Sequence, residues 1–174
     1  KMLRSIIPTT IAIKQDLSPN TGIINADPTQ LNQIIINLCT NAYQAMEEEG
    51  GELKVFLGNT NIQKENFPYE PDIEDGRYVE LIVKDTGSGI DSSVIDKIFE
   101  PYFTTKETGK GTGMGLAIVH GIIKSYNGFI DIKSEPGQGT EIHVFIPIVE
   151  EEVVDHAEIP SSQTLATGNE HILY

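Results

Sequence analysis

The chain has 174 residues and a formal net charge of −14, a length that suits one domain with a core of its own. The acid excess argues against nucleic acid as a partner, because phosphate backbones are held by clustered lysine and arginine and no basic stripe occurs. The one cysteine, Cys39, leaves no internal disulfide, and no apolar run approaches the ~20 residues that cross a bilayer. A soluble, cytoplasmic domain without membrane contact of its own is therefore expected. Because Lys1 rather than methionine opens the chain, a piece of a longer protein is expected too.

In chain order, TTIAIKQDL alternates apolar residues at Ile11 and Ile13 and predicts a strand, followed by a turn at SPNTG and a short second strand, IIN, at 23–25. Asp27 is a good N-cap and Pro28 suits a first helical position. Leu31, Ile34, Leu38, Ala42 and Ala45 then recur at helical spacing, predicting a helix that runs to the Gly50-Gly51 pair. GELKVFLGN predicts a strand, the polar stretch 59–76 a loop, and RYVELIVKD a strand antiparallel to the one before. A short helix over DSSVIDKIF follows, with Asp91 as its cap. From Glu100 to Thr112 no period is visible, so that segment is expected to be mobile. MGLAIVHGIIKSYNG predicts an amphipathic helix closed by Gly128, and FIDIKSEPGQGTEIHVFIPI a hairpin around Pro136-Gly137. Helices and strands segregate, which predicts an α+β fold: one mixed sheet with its helices on one face.

Three stretches carry chemistry. In KDTGSGI, Asp85 ends a strand beside Gly87 and Gly89. An ordinary turn explains the glycines, whereas a carboxylate beside a gap without side chains can accept a hydrogen bond from a flat ligand. Asn37 and Asn41 lie one helical turn apart within IIINLCTNAYQAM. They are either buried amides bonded to neighbouring loops or carbonyl oxygens facing a hard cation such as Mg2+. GKGTGMGL sets Gly109, Gly111, Gly113 and Gly115 before and at the start of the amphipathic helix. Bare N–H groups at a helix start bind anions, but the spacing is neither a Walker loop nor a dinucleotide fingerprint. Taken alone, a flexible linker reads as well.

The ordered set LNQIIINLCTNAYQAM, VKDTGSGI, IFEPYFTTK and GKGTGMGLAIVHGIIKSYNGFIDIKSEPGQGTEIHVFIP resembles the ATP-binding domain of sensor histidine kinases. The superfamily is the one shared with gyrase, the Hsp90 chaperone and the mismatch-repair ATPases. The likeness spans about Asp27 to Pro147 and is especially close to hybrid sensor kinases. It implies a two-layer α/β sandwich of the Bergerat type with a mobile lid, and ATP and Mg2+ as ligands.

On residues, the resemblance implies that Asp85 takes the adenine amine, that Gly87 and Gly89 clear room for the ring, and that Thr140 supports the contact through water. Asn41 would ligate Mg2+ with Asn37 assisting. The N–H groups of Gly111, Gly113, Met114, Gly115 and Leu116 would line the triphosphate. Ile90 and Thr105 join the nucleotide-binding set, Lys106 lies on the lid, and Phe99 and Phe103 would anchor that lid or simply belong to the core.

In the hydrolytic branch the position of Asn37 is a water-activating glutamate, and an amide cannot act as a general base. That favours a protein-histidine kinase. A hydrolytic ATPase and a degenerate nucleotide sensor are the other readings. None of the four histidines, His120, His143, His156 and His171, is followed by the acidic residue expected of a phospho-acceptor. The acceptor is thus expected on a dimerisation and phosphotransfer domain before Lys1, with residues 1–8 as its connection and 9–149 as the ATP-binding domain. Residues 150–168 read as an acidic linker. NEHILY, 169–174, resembles the first strand of a receiver domain, with a disordered tail as the other reading; a separate response regulator is the alternative partner.

Overall fold

The computed structural model describes residues 3–105 and 111–149. Its elements are β1 (Ile11–Leu17), α1 (Pro28–Ala45), β2 (Gly51–Ile62), β3 (Gly76–Asp85), α2 (Gly115–Ser125), β4 (Phe129–Glu135) and β5 (Gly139–Pro147). The strands form one sheet in the order β1-β2-β3-β5-β4, with β1 parallel to β2 and the other neighbours antiparallel. A parallel pair cannot be joined by a tight turn, and α1 is the crossover that joins this one.

Period-two alternation gives the sheet two different faces. Leu53, Val55, Val83, Ile130, Ile142, Val144 and Ile146 point toward α1 and α2, where Ile34, Leu38, Ala42, Val119 and Ile123 complete the main core. Burying such a side chain stabilises by roughly 1.5–3 kcal/mol. On the opposite face Tyr78, Phe129 and Phe145 form a smaller core under Phe67 and Ile73. The expected mixed sheet with helices on one face is what forms.

Asp27 caps α1 as expected, its Oδ1 accepting from Thr29 N at 2.6 Å. The helix stops at Ala45, short of the Gly50-Gly51 pair, and a turn covers the interval. No strand forms at 23–25: Ile23 is 61% exposed and its carbonyl accepts from Val149 N, a single link where a strand would have a ladder. The preceding turn is held by a side chain instead, Asn59 accepting from Gly22 N and donating to Asn20 O, both at 2.8 Å. β2 continues past Asn59 to Ile62, so the loop begins later than predicted. The helix expected over 91–99 is a 3-10 turn at Ile95–Lys97. Asp91 Oδ1 accepts from both the N–H and the hydroxyl of Ser93, and such local bonds compete with a short helix that is costly to nucleate.

Candidate functional site

Asp85 is the last residue of β3 and only 5% exposed. Its Oδ1 accepts from Gly87 N at 2.8 Å and from Thr140 N at 3.2 Å. Burial pushes the carboxyl above its ordinary value, and the two N–H bonds pull it partly back. Both bonds land on Oδ1, and Asp85 lines a cleft of about 430 Å³ together with Ile95, Ile132, Lys133, Ser134 and Thr140 among others. An acceptor held this way suits a donor on a flat, partly apolar ligand.

The turn after Asp85 is tied down by the chain itself. A side chain at Gly87 would stand 2.5 Å from Ala45 O, and one at Gly89, where φ is +68°, would stand 2.0 Å from Glu135 O. Both positions therefore exclude any side chain, because the protein's own backbone passes where a Cβ would stand. Ile90 N donates to Ser134 Oγ at 2.8 Å, and that oxygen is 3.0 Å from Gly139 O and 2.9 Å from Thr140 Oγ1. Ser134 escaped the sequence reading because it sits among the alternating residues of a strand. Thr140 also supports Asp85 itself, through its backbone N–H.

The second part of the site is built where α1 meets the start of α2. A side chain at Gly115 would stand 3.4 Å from Asn37 Oδ1 and 3.8 Å from Asn41 Nδ2, so the structure brings both half-buried amides to the first residue of α2. Met114 precedes α2 without a side-chain cap. The first intrahelical bond there runs from Ile118 N to Met114 O, which leaves the N–H groups of Gly115, Leu116 and Ala117 without helical partners and at the positive end of the helix dipole. Leu116 itself packs on the main core. Gly113, with φ +65°, lies so close to Tyr102 that a side chain would come within 2.5 Å of its backbone, and Tyr102 N donates to Gly113 O at 3.0 Å. This pair holds the two ends of the stretch 102–113 together. Within it Gly111 is half-buried and Thr105 exposed, while Lys106, Gly109 and Lys110 lie outside the described residues, as do residues 150–174 with His156, His171 and the receiver-like end.

Phe99 packs on the main core and against the His120 ring at 5.1 Å, whereas Phe103 is half-buried. His143 is engaged at both ring nitrogens, by Glu80 and Glu141, each at 2.8 Å. Cys39 is buried, which pushes its thiol up to about 11 and leaves it a core residue. Among the described residues no group of three or more His, Cys, Asp or Glu could hold a metal. A cation at the Asn37–Asn41 pair would therefore complete its oxygen shell from ligand phosphates and water, the habit of Mg2+. No described helix is long and apolar enough to cross a membrane.

A buried acceptor at a sheet end and an uncapped helix start beside two amides thus lie on one α+β domain. Residues 26–150 match the family described as histidine kinase-, DNA gyrase B-, and HSP90-like ATPase, and the chain belongs to it. Sensor kinase CckA of Brucella abortus (strain 2308) is 39% identical over 163 residues, covering 93% of this chain and 17% of the relative. The chain thus spans under a fifth of that protein's length. The catalytic domain of histidine kinase ThkA superposes with a TM-score of 0.61 at 27% identity, covering 84% of this chain and 82% of that one. Full-length ShkA in complex with AMPPNP superposes with a TM-score of 0.58 at 29% identity over 79% of this chain and 25% of that one.

Proposed function

We propose that this chain is the catalytic ATP-binding domain of a two-component sensor histidine kinase, binding Mg-ATP and presenting the γ-phosphate to a histidine on a separate dimerisation domain. The observation that carries this reading is the layout of α1. Its last residue, Ala45, holds the turn that follows Asp85, while Asn41 and Asn37, about 6 and about 12 Å back along the helix axis, meet the open start of α2. The two recognition elements are thereby set apart by the order of a nucleotide's length. Asp85 accepts the adenine amine, Thr140 and Ile90 shape the same pocket, and the N–H groups of Gly111, Gly113, Met114, Gly115 and Leu116 receive the phosphates, with Thr105 and Lys106 on the closing segment. Asn41 and Asn37 hold Mg2+. Bound Mg-ATP supplies the phosphoryl group and a metal that neutralises its charge; the chain's part is to bind, orient and exclude water.

Asn37 in place of a general base disfavours hydrolysis and so favours transfer to a partner. Residues 1–8 are read as the connection to a dimerisation and phosphotransfer domain, 150–168 as a linker, and 169–174 as the start of a receiver domain, or else the phosphate passes to a separate response regulator. The domain works in the cytoplasm. The test is a nucleotide titration with and without Mg2+, followed by incubation with the dimerisation helices. Tight binding of ATP but not GTP, and acid-labile phosphate on the added helices, are expected. Equal affinity for ATP and GTP, or label on the isolated 174 residues, overturns the reading.

A further inference from the structure

We propose that Ser134 is a positioning residue for base recognition: it donates to the Thr140 hydroxyl and so turns the proton of that hydroxyl toward the cleft beside Asp85. The inference rests on the nucleotide reading above and starts from proton counting. A serine hydroxyl has one proton and two lone pairs. Ile90 N, 2.8 Å away, can only donate and occupies one lone pair of Ser134 Oγ. The proton then goes either to Gly139 O, at 3.0 Å, or to Thr140 Oγ1, at 2.9 Å.

The two choices give the cleft opposite characters. With the proton on Gly139 O, Thr140 donates to Ser134 and shows only lone pairs beside the carboxylate, so the cleft offers two acceptors. With the proton on Thr140, the threonine's own proton is released, and the cleft offers an acceptor next to a donor. Adenine carries its amine donor next to a ring-nitrogen acceptor, and only the second pattern complements it, directly or through one water. Thr140 Oγ1 cannot hold this arrangement alone, because a hydroxyl rotates to suit its neighbours; a donating Ser134, kept in place by Ile90 N, is the neighbour that holds it once adenine is bound. The same serine couples the turn after Asp85 to the β4–β5 hairpin, so base reading and loop position share one oxygen.

The experiment measures dissociation constants by calorimetry for ATP, for 1-deaza-ATP, which lacks that ring nitrogen, and for purine riboside triphosphate, which lacks the amine. Wild type is expected to bind ATP about three- to tenfold tighter than 1-deaza-ATP, the scale of one neutral hydrogen bond. Ser134→Ala and Thr140→Val should each bring that ratio close to one, and the double variant should lose nothing further, while Ser134→Thr should restore it. A ratio unchanged in Ser134→Ala, or near one in wild type, overturns the proposal, as does an equal loss for both nucleotides, which marks a merely structural role. If Ser134→Ala does not fold, Ser134→Cys, close in volume but a weak donor, decides in its place. Failure of the nucleotide reading looks different: purine riboside triphosphate then binds as well as ATP.

Discussion

The two ends of the site are built on opposite principles. At the base end every feature is already bonded within the protein: Asp85 is buried under two backbone donors, its turn is clamped on Ala45, and Ser134 ties that turn to the hairpin. At the proposed phosphate end the first N–H groups of α2 have no side-chain cap, and the amides of Asn37 and Asn41 stand beside them. The first arrangement sets geometry in advance, and the second leaves donors open for a ligand to complete. Selectivity should therefore reside at the base end and catalytic dependence at the phosphate end.

The sharpest way to break this comparison is Asn41→Ala. Transfer to supplied dimerisation helices should fall by about 100-fold or more, the scale of losing a group that positions transition-state charge, while Mg2+-free nucleotide affinity stays nearly unchanged. A parallel loss of both would deny the division between the two ends. Next in size, Asp85→Asn should weaken ATP binding roughly ten- to 150-fold, as expected for a charge-assisted hydrogen bond. Calorimetry should show little change for purine riboside triphosphate, which has no amine to lose.

Gly87→Ala would press a methyl group to 2.5 Å from Ala45 O. It should cost about 1–3 kcal/mol in a denaturant melt and lower ATP affinity as the turn shifts. The same Asp85→Asn variant should be modestly more stable than wild type at neutral pH, because the buried carboxyl has a raised value in the folded chain. The destabilising contribution of ionised Asp85 is complete above that raised value and disappears as pH falls below the ordinary 3.8, so the gain should shrink over that interval. Thermal melts at a series of pH values check it, and a gain that grows on acidification would contradict the burial argument. The smallest effect is expected outside both ends: Gly121→Ala, on the exposed side of α2 with nothing within 4 Å, should stabilise by about 0.5–1 kcal/mol and leave affinity alone.

The sequence by itself determined what is periodic or locally bonded. The Asp27 cap, the apolar stripe of α1, the alternation of β3 and the β4–β5 hairpin follow from neighbours within a few positions, and all form as read. Asn37 and Asn41 share a helical face because four residues make about one turn, and that was legible too. Tertiary structure decided everything that depends on partners far along the chain. Ile23 to Asn25 read as a short strand, but the preceding turn is pinned by the Asn59 side chain of β2 and no ladder follows it. That Gly87 and Gly89 must lack a side chain is set by Ala45 and Glu135, which arrive from other segments. Ser134 gains its place only when Ile90 and Thr140 arrive from two other segments. A hydrogen bond between residues separated by tens of positions leaves no period in either stretch, because its geometry depends on how the sheet and helices pack, and packing is a property of the whole chain.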